Sequence, residues 1–103
     1  VVAFLHAESR DEDPELRSRL LRRTDKHLKW IANKRELENI VLHSFTHLGA
    51  ENAKPEFARL FLEELAERLR GKGYSVAQTP FGYFCEWTLD VYGESLAKVW
   101  KDV

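Results

Sequence analysis

Two short apolar runs, at residues 1–5 and 40–45, bracket a stretch whose apolar residues recur at helical spacing. This alternation constrains the fold more than any other feature of the chain. Both runs are continuous rather than alternating, the pattern of strands covered on both faces. Between them, Leu16, Leu20, Thr24, His27, Leu28 and Ile31 predict a helix that ends near Ala32. Asp13 can accept from a free N–H of its first turn, and Pro14 suits the first helical position. The pattern then repeats. Ala58, Phe61, Leu62, Leu65 and Leu69 predict a second helix from Pro55, closed by Gly71, Lys72 and Gly73, before a short strand at 74–78. Two successive β-α-β passages predict parallel neighbours joined by right-handed crossovers.

The remaining quarter reads differently. Thr79, Pro80, Phe81 and Gly82 form a turn signal. Residues 83–92 then alternate, with Tyr83, Cys85, Trp87, Leu89 and Val91 on one face. This predicts a long strand, antiparallel to its predecessor, whose apolar face packs on the helices. Gly93 breaks it, and Leu96, Val99 and Trp100 predict a short amphipathic helix over 94–101. The expected architecture is a single α/β domain, a mixed sheet with helices packed on it.

Composition narrows the function classes. With 44% hydrophobic and 32% charged residues, the chain can build a core and is not a disordered polymer. A net charge of −1 gives no global attraction to nucleic acid or membrane, and no apolar run approaches the ~20 residues of a bilayer span. The lone Cys85 excludes an internal disulfide and a cysteine-rich zinc site, and suits a reducing cytoplasm. The absence of a Gly-x-x-x-x-Gly-Lys motif places nucleotide-triphosphate chemistry outside this segment.

Several residues are candidates for chemistry. Between Glu15 and Arg35 the first helix carries eight cations against two carboxylates, either a phosphate-binding track or a solvated face. His43 and His47 are four apart, but with His43 in a strand and no acidic or cysteine ligand nearby, no metal site is expected. Ser44 lacks the Gly-x-Ser-x-Gly context of a nucleophile. His47, just past the end of a strand where ligands of α/β sheets bind, reads either as a functional or as a structural histidine. Cys85 reads either as a nucleophile or as a small buried residue. The turn at 79–84, flanked by aromatics, reads either as a ligand-gripping surface or as an ordinary hairpin.

The stretches Ser44-Phe45-Thr46-His47-Leu48, Ala53-Lys54-Pro55, Gly73-Tyr74-Ser75-Val76 and Thr79-Pro80-Phe81-Gly82-Tyr83 together resemble the N-terminal editing domain of archaeal-type threonyl-tRNA synthetases. The match in order and spacing runs from Val41 to about Val99, and more weakly from Val1. The resemblance implies a fold similar to D-aminoacyl-tRNA deacylases, commonly a homodimer, with the family's first strand absent. It also implies hydrolysis of serine wrongly esterified to threonine tRNA, without a metal or other cofactor. His47 corresponds to the family's pocket histidine. Thr46, Pro80, Phe81, Gly82, Tyr83 and Cys85 correspond to residues that line the substrate. The expected partners are an aminoacylated tRNA 3′ end and a second copy of the chain, with no DNA and no membrane, in the cytoplasm.

Two departures stand out. Where the family has tyrosine then lysine after the turn, this chain has Phe84 and Cys85, and ungapped alignment sets Lys98 where the family has a glutamate. The apparent exchange suggests Lys98 as a replacement cation and, with His47, a catalytic residue. The alternative is a tRNA-binding or assembly module on the same fold, with the basic helix as its interaction face.

Overall fold

In a computed structural model describing residues 1–103, the chain opens with strand β1 (Val2–Leu5), followed by a single 3-10 turn (Ser9–Glu12) and helix α1 (Arg17–Lys34). Strand β2 (Asn39–Ser44), helix α2 (Pro55–Gly71) and strand β3 (Ser75–Gln78) complete the regular structure. The sheet order is β1-β2-β3, all parallel, with Ala3 opposite Leu42 and Leu42 opposite Gln78. Asp13 accepts from the Glu15 N–H at 3.0 Å, so it caps the turn that leads into α1 rather than α1 itself.

Both crossovers advance across the sheet in the same direction, so right-handedness sends both helices to the same face. The runs read as strands covered on both sides are therefore covered by helices on only one. Ala3, Ile40 and Leu42 point to that side and meet Leu21, Leu28, Ala32, Leu62, Leu65, Ala66 and Leu69. Phe61, Tyr74, Val76 and Phe81 pack around this core. The alternate residues, Val2, Phe4, Val41 and His43, face the other way.

The α1–α2 seam contains one buried charge. The Asp25 carboxylate is almost fully enclosed and is held by Lys29 Nζ at 3.1 Å and by the Arg68 guanidinium at 3.6 Å. At the near end of the same seam, Arg17 meets Glu64 at 2.6 Å and lies over the Phe57 ring.

Residues 83–92 form no strand, so the sheet is parallel rather than mixed. Trp87 lies across the helix-free face, with ring centroids 5.2 Å from Phe4 and 4.8 Å from His43. A segment held over a face rather than beside an edge has no backbone ladder to join. Its expected apolar side does not meet the helices either: Tyr83 is 75% exposed, and Leu89 and Val91 are about half exposed. Residues 94–101 form only one turn, closed by the Ala97 N–H to the Glu94 carbonyl. Eight residues without a packed face do not overcome the cost of helix nucleation. The segment is pinned at its ends, by Arg35 to Glu94 at 2.8 Å and by Arg10 to Asp102 at 3.4 Å.

Candidate active site at the carboxyl edge of the sheet

Parallel strands end on the same side, so the connections after β1, β2 and β3 converge there. Residues 6–13, 45–54 and 79–83 thus share the edge at which open α/β sheets bind ligands. The Thr79 N–H donates to the Leu42 carbonyl at 3.1 Å, which fixes the start of the third connection against β2.

The middle connection carries Thr46 and His47, and residues after β1 hold it in place. His6 bridges it: the Leu48 N–H donates to Nδ1 at 3.2 Å, and Nε2 lies 2.8 Å from the Glu51 carbonyl. A carbonyl accepts only, so Nε2 is the donor and Nδ1 the acceptor in this bridge. The Ala53 N–H donates to the Ala7 carbonyl, Ser9 Oγ to Glu51 at 2.6 Å, and the Lys54 N–H to Glu12 at 3.2 Å. Gly49 makes the close approach possible, because a Cβ there would stand 2.8 Å from Glu8 Oε1 and 3.2 Å from His6 Cε1. His47 itself is exposed, its ring edge-on to Phe45 at 5.2 Å.

Behind His47 lies an aromatic cluster. Phe4, Phe45 and Trp87 surround His43, whose Nδ1 is 2.8 Å from Thr79 Oγ1. His43 is 8% exposed, and burial pushes its pKa below the ordinary histidine value. The neighbouring Trp87 Nε1–H is enclosed without a partner.

The turn at 80–83 divides its residues. Phe81 packs inward against the core, so its ring anchors the turn rather than facing a ligand. Gly82 has φ of 84°, a conformation that favours glycine. Pro80 and Tyr83 are exposed, and the Cys85 thiol is half-buried, 3.7 Å from the Tyr83 carbonyl. Lys98 is exposed, in the segment between the Arg35–Glu94 and Arg10–Asp102 ion pairs, and forms no ion pair.

Two main cavities are present. The larger, about 310 Å³, follows the open edge of β1 and is bounded by His6, Arg10, His27, Trp100 and Lys101. The smaller, about 60 Å³, sits beneath the carboxyl edge among Leu5, Ser44, Phe57 and Phe61. Neither is lined by His47, the 80–83 turn, Cys85 or Lys98. The topology thus brings His47 and the turn to one edge, while Lys98 stands apart from both cavities. No group of three or more histidine, cysteine, aspartate or glutamate side chains is arranged to hold a metal ion, and no helix is long and apolar enough to cross a membrane.

Sequence reading singled out His47 but passed over His6 and the His43–Thr79 pair. His6 falls in a connection with no motif, and its role depends on residues 42 and 45 positions away. The pairing of His43 with Thr79 follows from strand register alone.

Comparison with known proteins gives a consistent result. The archaea-specific editing domain of threonyl-tRNA synthetase matches residues 1–103. A threonine–tRNA ligase of Pyrococcus horikoshii is 32% identical over 104 aligned positions, covering 100% of this chain and 16% of that protein. The ligase of Thermococcus onnurineus is 31% identical over the same span. That of Thermococcus gammatolerans is 36% identical over 73 positions, 71% of this chain and 12% of its own length. The chain therefore spans about a sixth of the curated relatives it matches in full.

Proposed function

The chain belongs to the archaea-specific editing domains of threonyl-tRNA synthetase, and from that membership we propose that it hydrolyses seryl esters of threonine tRNA at the carboxyl edge of its sheet. The observation that carries the proposal is the fixed connection after β2. It carries His47 at the same sheet edge as the 80–83 turn and is held by His6, Ala7, Ser9 and Glu12 through hydrogen bonds. Such pre-organisation is what a positioned water requires.

The reaction needs no strong base. Water adds its oxygen to the ester carbonyl carbon, the bond to the terminal ribose oxygen breaks, and that oxygen takes up a proton. Free serine and an uncharged tRNA result. An aminoacyl ester is already activated, so positioning the water and stabilising the oxyanion with backbone N–H groups carry most of the rate. In this reading Thr46 and His47 contact the aminoacyl group. Pro80, Gly82, Tyr83 and Cys85 border it, and Phe81 holds the turn from behind. Exclusion of threonine rests on the space for one methyl group, worth ~1–3 kcal/mol where only contacts are lost.

We also propose that a second copy of the chain docks on the helix-free face. Val2 is 42% exposed there, and Tyr83, Phe84 and Tyr92, in the segment whose Trp87 crosses that face, are largely exposed. An apolar surface of this kind is typical of an interface.

The test is release of serine from seryl-tRNA(Thr), compared with threonine from threonyl-tRNA(Thr). Turnover of the first and sparing of the second are expected, with a loss of about 10²-fold in His47→Ala. Lys98, exposed and without an ion pair, is the candidate replacement cation, and Lys98→Ala decides its part. A rate within twofold of wild type removes it from the site. A second reading, a tRNA-binding module without hydrolysis, is favoured by the absence of His47 and the turn from both main cavities. Tight tRNA binding with no serine release would establish it.

A further inference from the structure

We propose that the solvent face of α1 is a docking track for the body of the RNA whose 3′ end enters the site, an inference that rests on the editing reading above. Arg19, Arg22, Arg23, Lys26, Trp30 and Lys34 are all exposed. At 100° per residue they lie about 180° from the buried Leu20, Leu21, Thr24, Asp25, Leu28 and Ala32. They extend along about 22 Å of helix.

Pairing elsewhere in the molecule makes this stripe unusual. On α2, Arg59 meets Glu56 and Glu63, Arg68 meets Asp25, and Arg70 meets Glu67. The α1 cations that face α2, Arg17 and Lys29, are paired as well. Arg19, Arg22, Arg23, Lys26 and Lys34 form no ion pair. Arg19 and Arg23, and likewise Arg22 and Lys26, are like charges four apart, an unfavourable spacing. The first turn has no acidic residue to complement the helix dipole. A chain of net charge −1 that pairs its other arginines has here concentrated uncompensated positive charge.

Three features point to RNA rather than another polyanion. Trp30 is 43% exposed and stacked on His27, with centroids 5.9 Å apart and planes at 21°. It lies one turn from Lys26 and one from Lys34, a flat platform between cations, as in surfaces that bind unpaired bases beside a phosphate backbone. The stripe has no second apolar residue, so it lacks the apolar face that inserts into a bilayer. Finally, α1 begins at the carboxyl edge of the sheet and runs back antiparallel to the strands. Arg19, Arg22 and Arg23 therefore stand nearest the proposed site, and Lys34 farthest from it.

The test is titration of the chain with unacylated tRNA(Thr) transcript over a series of salt concentrations. Alongside it, hydrolysis of a short seryl-esterified CCA oligonucleotide is measured, a substrate too small to reach α1. The reversal R19E/R22E/R23E/K26E is expected to weaken tRNA binding more than a hundredfold and to flatten its salt dependence. Hydrolysis of the oligonucleotide stays within twofold. R19K/R22K/R23K, which keeps the charge and the fold, retains binding within threefold. Trp30→Ala costs about tenfold with an unchanged salt slope, and Trp30→Phe restores it. Reversal that leaves tRNA binding within twofold overturns the proposal, as does wild-type binding to phosphatidylserine vesicles without binding to tRNA. If tRNA binding responds as expected but wild type hydrolyses neither substrate, the editing reading fails and the α1 surface stands.

Discussion

His6, His43 and His47 lie within one region of the molecule and are held in three different ways. His47 is free at the surface, His6 is locked as a bridge, and His43 is buried among rings with only Thr79 as a polar partner. His6 acts through the connection it holds. His6→Ala is therefore expected to lower the rate of serine release about 10- to 100-fold while the cooperative unfolding transition persists. A rate equal to wild type would show that the connection needs no such brace. Burial of His43 has a consequence for stability. Its folded-state pKa lies below the model-peptide value of 6.5, so the unfolded chain binds a proton more readily. The neutral histidine contributes fully above about pH 6.5, and this contribution falls as the pH drops from there through the folded-state pKa. His27 shifts the same way, through burial and the nearby Lys101. Thermal melts at several pH values should show less acid sensitivity in His43→Gln than in wild type, and an identical profile would contradict the linkage. Glu36 tests the backbone. It follows α1 with φ of 54°, a left-handed conformation that costs a side chain about 1–2 kcal/mol. Glu36→Gly should leave stability unchanged or raise it by up to about 1 kcal/mol in urea unfolding.

The β-α-β-α-β frame is the part of the molecule that local pattern dictates. The strands, the Pro55 start of α2 and its end at Gly71 lie within a residue or two of where periodicity and turn chemistry set them. Leu65 shows why the pattern is informative: it belongs to the helical stripe and is fully buried. Leu65→Ala is expected to cost about 2–5 kcal/mol, read as a lower urea midpoint at unchanged slope. The later part is less legible for a physical reason. Alternation at 83–92 identifies which residues share a side of an extended chain. It does not say whether that chain lies beside an edge or over a face. Trp87 decides the matter by packing on Phe4 and His43, contacts some forty residues or more away in sequence. Asp25 was equally hidden, since its enclosure depends on Arg68 of the other helix. Phe81 looked like a ligand-facing aromatic in the turn and instead fills a gap at the core margin.

Taken as one body, the chain has two unlike surfaces: a basic face on α1 and an aromatic one on the helix-free side of the sheet. The first is the proposed track for tRNA away from the ester, the second the proposed surface of self-association. Sedimentation over a wide concentration range should show a dimer, and Phe84→Glu should shift it toward monomer. A wild-type monomer at every concentration would leave the aromatic face without its proposed partner. The candidate site joins three connections that no sequence motif spans, and the direction of the strands alone brings them together. Its position is therefore the claim on which the functional account depends. Amide chemical-shift mapping with a non-hydrolysable 3′-serylamino-adenosine tests it most directly. Changes are expected at residues 45–49 and 79–85 and, beside them, at His6 and His43. Changes confined to the cavity along β1, at Val2, His27 and Trp100, would contradict it.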